Sequence, residues 1–369
     1  MPEKMMIPGP VPVQESVLRE MGSQVRAHYG AEWVAIYKKT VELLKLVFKT
    51  QGDVYILVGS GSSGLDAAIG SLTASGEKVI VGTNGFFGER LRHICGGYGL
   101  EVIPVHAALG EPLNPSDFKE ALSLHPDAAA VSLVHLETST TVVNPVAEIA
   151  AEANVNNIPT IIDAVASLGG IPLAMDDWGI DICVSASQKC LGAPPGLAPI
   201  AISQRAWEIM DTKPQRHHGW YLNLQTWRQY ADEWSEWHPY PVTMPTNNVL
   251  ALKTGLRSLL ADGIEERIER YTKLALRLRD GVRKLGLQPF TPDDQLAPVV
   301  TAIYGPEGVP TGEIVQYLIE EHGIMVSGGL GEGLHDRVFR VGHMVPMANE
   351  EDIDAVLAGL SQFLQIQGL

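Results

Sequence analysis

The sequence encodes an α/β fold: a mainly parallel, seven-stranded sheet with helices on both faces, followed by a smaller C-terminal α+β domain. Three observations lead there. Short apolar, β-rich runs alternate with stretches of helical periodicity over most of the chain. Past Thr243 the pattern changes to long, charged, amphipathic helices. A chain of 369 residues with 45% hydrophobic content can bury one large core and a satellite.

The chain opens with Met6-Ile7-Pro8-Gly9-Pro10-Val11-Pro12, too rich in proline for a helix or a central strand, so residues 1–16 read as an extended arm. Apolar runs rich in β-branched residues predict strands over 54–58, 78–81, 101–105, 128–136, 159–162, 182–185 and 197–202. Apolar residues three and four apart predict helices between them over 63–72, 87–98, 115–124 and 146–153. Strands joined by helices run parallel, because each crossover returns the chain to the same edge. Residues 17–255 are expected to form this larger domain, and 256–369 the smaller one. Around and within the smaller domain the spacing predicts helices over 248–262 and 264–285, strands over 299–303, 324–327 and 338–341, and a helix over 350–364. Glu350 and Glu351 suit the first turn of that last helix, where the helix dipole favours anions.

Composition narrows the partners. A net charge of −16, with no block of Lys or Arg to offset it, argues against nucleic acid and against an anionic membrane surface. No apolar stretch approaches the roughly 18 residues of a membrane span, and the first residues lack a charged-then-apolar secretion signal. A cytoplasmic protein is expected. Cys95, Cys183 and Cys190 have no metal-ligand spacing, and their odd number suits a reducing compartment, with Cys183 and Cys190 expected as packing residues. The pair His217 and His218 is not accompanied by a His-Glu-x-x-His pattern, so no metal is expected.

The chemistry lies at two strand ends. Asp163 closes Pro159-Thr160-Ile161-Ile162, and Lys189 follows Ile182-Cys183-Val184-Ser185-Ala186-Ser187-Gln188. Singly, each has an ordinary reading: an aspartate there caps a helix, and a lysine there is a solvated loop residue. Together they stand where a parallel sheet delivers residues to a ligand crevice. Pyridoxal phosphate needs that pair, an amine to form a Schiff base and a carboxylate to keep the ring nitrogen protonated.

Gly59-Ser60-Gly61-Ser62-Ser63-Gly64 follows the first strand and opens a helix, so backbone N–H groups should hold an anion there. The string also satisfies the G-x-G-x-x-G pattern of dinucleotide-binding dehydrogenases. That reading needs an acidic residue at the end of the second strand, where the chain has Val81-Gly82-Thr83-Asn84-Gly85. A cofactor with a single phosphate fits better.

From Pro8-Gly9-Pro10 to near the C-terminus the chain resembles the fold-type I, class V pyridoxal-phosphate aminotransferases, in particular the alanine–glyoxylate and serine–pyruvate/glyoxylate enzymes. The resemblance rests on Asn84-Gly85-Phe86-Phe87-Gly88-Glu89-Arg90, on 163–170, on Ser187-Gln188-Lys189-Cys190-Leu191-Gly192-Ala193-Pro194-Pro195-Gly196, and on Ser327-Gly328-Gly329-Leu330-Gly331 with Arg340-Val341-Gly342. It implies that Lys189 carries the Schiff base and Asp163 faces the pyridinium. It further implies that Phe87 stacks on the ring, where the family more often has Trp or Tyr, with Val165 also at the cofactor. Ser60, Gly61, Ser62 and Gln188 would hold the phosphate, and Thr138 or Ser139 would lie near the ring hydroxyl. Tyr240 and Thr243 would serve the phosphate of the other subunit in a homodimer that shares its active sites. Gly9 and Arg340 would meet the substrate, Arg340 gripping its carboxylate with a bidentate guanidinium.

The resemblance implies ping-pong transfer of an amino group from a small L-amino acid, alanine or serine, to a 2-oxo acid, glyoxylate or pyruvate. Donors such as aspartate, 2-aminoethylphosphonate or pyridoxamine are the alternatives, with a lyase or desulfurase further off. Pyridoxamine enzymes carry a glutamate in the glycine-rich turn and an arginine in the Gly-Gly-Leu-Gly region, where this chain has Ser60 and Leu330. A desulfurase needs a mobile C-terminal cysteine, and none follows Cys190. Many members also have an arginine-bearing string where this chain reads Ala27-His28-Tyr29-Gly30-Ala31-Glu32-Trp33, a departure that bears on substrate selectivity. The segment 220–237, with Trp234 and Trp237, is expected to cover the site entrance or to pack at an interface.

Overall fold

The structure, a computed structural model, describes residues 4–213 and 219–369; His217 and His218 lie outside the described residues. Its large sheet consists of β1 (Asp53–Val58), β2 (Lys78–Thr83), β3 (Glu101–His106), β4 (Ala130–Val134), β5 (Thr160–Asp163), β6 (Ile182–Val184) and β7 (Leu197–Ile202), in the spatial order β1-β7-β6-β5-β4-β2-β3. Neighbours pair parallel except at β7, which runs antiparallel to both β1 and β6. Every residue of β4, β5 and β6 is buried, so these strands read as continuous apolar runs. Helices α1 (Gly61–Leu72) and α2 (Phe86–Gly97) follow β1 and β2 directly, and their first turns stand at the sheet edge where Asp163 ends β5.

The run expected as one strand over 128–136 is broken. β4 stops at Val134, and Leu136–Glu137 pairs antiparallel with Val142–Val143 instead. Asn144 causes the turn: its Nδ2 donates to the Val134 carbonyl at 2.8 Å and its backbone N–H to His135 O at 2.8 Å. The chain between, Glu137 to Ser139, is thereby turned across the sheet edge.

The C-terminal part holds a three-stranded antiparallel sheet, with Val338–Gly342 between Val300–Tyr304 and Ser327–Gly328. The strand expected over 324–327 is two pieces, since Ile324–Met325 pairs parallel with Lys4–Met5 of the arm. The arm is extended only as far as Gln14; a helix, Glu15–Met21, crosses the expected limit at residue 16. Helices Ala31–Phe48, Gln204–Thr212, Leu224–Glu233 and Thr311–His322 were not among the expected elements. Helix Thr246–Asp262 runs through residue 255 and lends Val249, Leu252, Leu256 and Leu259 to the core of the large sheet. The last helix, Glu350–Gln367, begins with a capping box between Asn349 and Asp352.

Two apolar cores result. One surrounds the large sheet; the other gathers Met6 and Val11 of the arm with Tyr271, Leu274, Phe339 and Phe363. Ala166 and Cys190 belong to the second core although they follow strands of the first. Residues 163–166 and 188–190 therefore lie on the seam between the cores.

Candidate active site

A cavity of about 170 Å³ opens on this seam, lined by Ser60, Gly61, Ser62, Phe87, Arg90, Thr138, Asp163, Val165, Gln188 and Lys189 among others. Asp163 arrives at the end of β5 and is only 7% exposed. Its Oδ1 accepts the Val165 N–H at 2.9 Å. Burial pushes its carboxyl up to about 6, the Val165 N–H opposing and the Glu137 charge adding to the rise. Lys189 arrives past the end of β6. Burial pulls its amine down to about 8, and Nζ donates to the carbonyl of Pro8 in the arm.

The opposite wall is the start of α1. Ser60 is the N-cap residue, in extended conformation, yet its hydroxyl caps nothing. The first-turn amides of Gly61 and Ser62 have no backbone partner among the described residues. Gly61 cannot be larger, because Cγ2 of Val165 fills the space a Cβ would take. Gln188 contributes a buried Oε1 with no hydrogen-bond partner among the described residues.

Phe87 and Arg90 come from the first turns of α2. The Arg90 guanidinium lies 4.7 Å from the centre of the Phe87 ring and 5.2 Å from that of Phe86. Arg340 comes from the small sheet and is 7% exposed. Its Nε donates to Gly328 O at 3.0 Å and its Nη1 to Thr138 O at 3.1 Å, leaving Nη2 without a partner among the described residues. Burial lowers its guanidinium to about 10, against the favourable charge of Glu137. Gly9 packs directly on the Lys189 side chain.

Three residues expected at a cofactor do not line this cavity. Ser139 is turned from the cavity: its Oγ donates to Glu137 Oε1 at 2.5 Å and accepts the Phe86 N–H at 2.9 Å. Thr138 takes the place in the lining. Tyr240 is buried within its own chain, its hydroxyl shared between His28 O and Trp33 Nε1. Thr243 is exposed, and both it and Tyr240 are expected at a partner's site rather than at this cavity. Arg90 and Glu137 belong to the site without being among the expected residues. Arg90 follows Phe87 by three residues on one helix face, a spacing that signals a shared direction. Glu137 has no such signal, since only the break after β4 brings it here.

A sequence profile of the class V aminotransferases matches residues 14–356. The chain belongs to the class V aminotransferase family. It is similar to an uncharacterised aminotransferase of Methanocaldococcus jannaschii, with 36% identity covering 96% of this chain and 90% of the relative. To the alanine–glyoxylate aminotransferase of Drosophila melanogaster the identity is 30%, covering 98% and 92%. The crystal structure of an alanine–glyoxylate aminotransferase from Nostoc sp. superposes with a TM-score of 0.94 at 30% identity, covering 99% of this chain and 96% of that one.

This aminotransferase is a pyridoxal-phosphate-dependent transaminase of the same fold. The cavity fits that cofactor on its own chemistry. A phosphate needs donors, and the idle Ser60 hydroxyl and the unpaired amides opening α1 supply them. The orphaned Oε1 of Gln188 marks a polar position built for a partner the chain itself does not provide. A ring needs apolar walls, and Phe87 and Val165 line the same space.

Proposed function

We propose that this aminotransferase moves the amino group of a small L-amino acid, alanine or serine, to glyoxylate or pyruvate by a ping-pong mechanism. One observation carries the reading. A lysine amine held near neutrality shares a buried cavity with a carboxylate, beside an arginine whose Nη2 is uncommitted. The relatives named alanine–glyoxylate aminotransferase support the choice of substrates.

When bound, pyridoxal 5′-phosphate supplies an aldehyde to take up the amino group and a protonated ring to draw electrons from the neighbouring carbon. Ser60, Ser62, the amides that open α1 and the side-chain NH₂ of Gln188 would hold its phosphate, and Phe87 and Val165 its ring. Asp163 would keep a proton on the facing ring nitrogen, since a buried carboxylate gains from a cation beside it. Arg340 would take the substrate carboxylate with Nη2, Nε and Nη1 remaining on Gly328 and Thr138. Gly9 packs against Lys189 so closely that any larger residue would meet Nζ. Nζ of Lys189, deprotonated in a large fraction near pH 8, would take the proton from the substrate Cα and return it during transfer.

The test is a panel of amino donors with glyoxylate, pyruvate and 2-oxoglutarate, followed by keto-acid production. Parallel double-reciprocal lines with alanine or serine are expected. Holoenzyme that transaminates neither donor with glyoxylate or pyruvate would overturn the assignment.

A homodimer is part of the proposal, supported by exposed Trp220, Tyr221, Trp234 and Trp237 around helix Leu224–Glu233 and by exposed Thr243, which could serve the partner's site. Sedimentation that found a monomer at micromolar concentration would refute it. The proposed compartment is the cytoplasm, supported by three free, buried cysteines. No helix among the described residues is long and apolar enough to cross a membrane. Cell fractionation placing the protein outside the cytoplasm would contradict this.

A further inference from the structure

The start of α2 is capped from a distance. Its N-cap residue, Gly85, has no side chain to offer, yet the first three amides of the helix are all satisfied. Ser139 Oγ accepts from Phe86 N–H, and Glu137 Oε2 accepts from Phe87 and Gly88 N–H, each at 2.9 Å. Oε1 of Glu137 accepts Ser139 N–H at 3.0 Å as well as the Ser139 hydroxyl. The carboxylate is fully buried, a position where an anion is tolerated only with several donors and a helix N-terminus at hand. Gly85 makes room for it: a Cβ there would stand 2.5 Å from Glu137 Cγ and from Ser139 Oγ.

The same three residues reach the other side of the site. The carbonyl of Thr138, between the two capping side chains, accepts from Arg340 Nη1, and the Glu137 charge favours the Arg340 cation. Phe87 and Arg90 on α2 and Arg340 on the small sheet are thus tied to one short segment across the seam.

We propose that Glu137, with Ser139, is a positioning residue: it sets α2 and Arg340 relative to each other, so that the wall beside the ring and the grip on the carboxylate form together. The proposal rests on the roles given above to Phe87 and Arg340. Glutamine at 137 keeps the volume but must aim an NH₂ donor at either the α2 amides or the Ser139 amide, and one set loses its acceptor.

The test compares wild-type, Glu137→Gln, Ser139→Ala, Arg340→Ala and Glu137→Gln/Arg340→Ala holoenzymes. Propionate, an alanine without its amine, serves as a competitive probe of carboxylate binding. For Glu137→Gln, the Ki of propionate and the KM of alanine should each rise roughly tenfold, the usual scale for disturbing hydrogen bonds to a charged group. The visible circular dichroism of the bound cofactor should change with them. In the Arg340→Ala background Glu137→Gln should add little. Ser139→Ala, which removes one cap, should give a smaller rise in the same direction and decides the matter if Glu137→Gln fails to fold. Unchanged propionate binding in a variant of lowered melting temperature would reduce Glu137 to a merely structural role and overturn the proposal, as would full additivity with Arg340→Ala. Failure of the underlying site assignment shows separately, as cofactor trapped by borohydride on a lysine other than Lys189.

Discussion

Gly9 lies against the side chain of Lys189 so closely that a Cβ would stand 2.5 Å from Nζ and 2.6 Å from Cδ. Its φ of +96° also favours glycine over any L side chain. The preceding residue, Pro8, gives Nζ its hydrogen-bond acceptor. The arm is therefore part of the wall that places the amine. Gly9→Ala should displace Nζ by the order of an ångström and lower kcat by roughly a hundredfold, with the thermal unfolding of the large-sheet core little changed. Steady-state kinetics with near wild-type rates would show the arm to be incidental.

Asp163→Asn should keep the cavity's shape while removing the anion proposed to face the ring nitrogen. Cofactor should remain bound, and transamination should fall by about a hundredfold or more, the scale seen when a preorganised electrostatic contact is removed. Titration with cofactor and assay of keto-acid formation separate the two effects. Full activity in this variant would remove Asp163 from the chemistry.

Arg340→Ala should raise the KM for amino acids by roughly tenfold or more, the cost of a lost charge-assisted hydrogen bond. Binding of a simple amine lacking a carboxylate should be spared. Arg340→Lys should recover little, because a lysine cannot hold Gly328 O, Thr138 O and a carboxylate at once. Equal losses for amine and amino acid would refute the carboxylate grip.

Cofactor-free protein should show Asp163 in its pH stability. Its folded-state carboxyl, near 6, lies above the ordinary 3.8, so its contribution is fully present below about 3.8 and is lost as pH rises through about 6. Relative to Asp163→Asn, the wild type should lose stability across that window. Denaturant midpoints at a series of pH values, with the difference flat throughout, would contradict the burial argument.

The same protein should react with an aldehyde probe at Lys189 with a rate that climbs with pH and reaches half its plateau near 8, against 10.5 for an ordinary lysine. The sign follows because only the neutral amine is a nucleophile. A midpoint near the ordinary value would mean that the amine is solvated.

Strand-end residues were the readable part of the site. Asp163, Lys189 and the Gly61 turn follow apolar runs, and a parallel sheet brings all such ends to one edge. Helix Ala31–Phe48 is not among the expected elements, although Trp33, Tyr37, Leu44 and Val47 line its buried face. The resemblance leaves Thr138 or Ser139 for the ring hydroxyl, and the bend that Asn144 puts after β4 decides which of the two lines the cavity. The packing of Tyr240 against Trp33 and His28 likewise joins residues more than 200 positions apart, which no local pattern announces.

Periodicity and motif were enough to establish the alternating α/β order, the two strand ends that carry the amine and the carboxylate, and the glycine-rich turn that opens α1, because each is a property of residues close together in the chain. Tertiary structure alone decided that the N-terminal arm touches Lys189, that a distant carboxylate caps α2, and that Arg340 leans on the carbonyl of Thr138. These contacts join residues up to 202 positions apart, and a linear pattern does not encode which of many buried polar groups will find each other until the two cores close on a common seam.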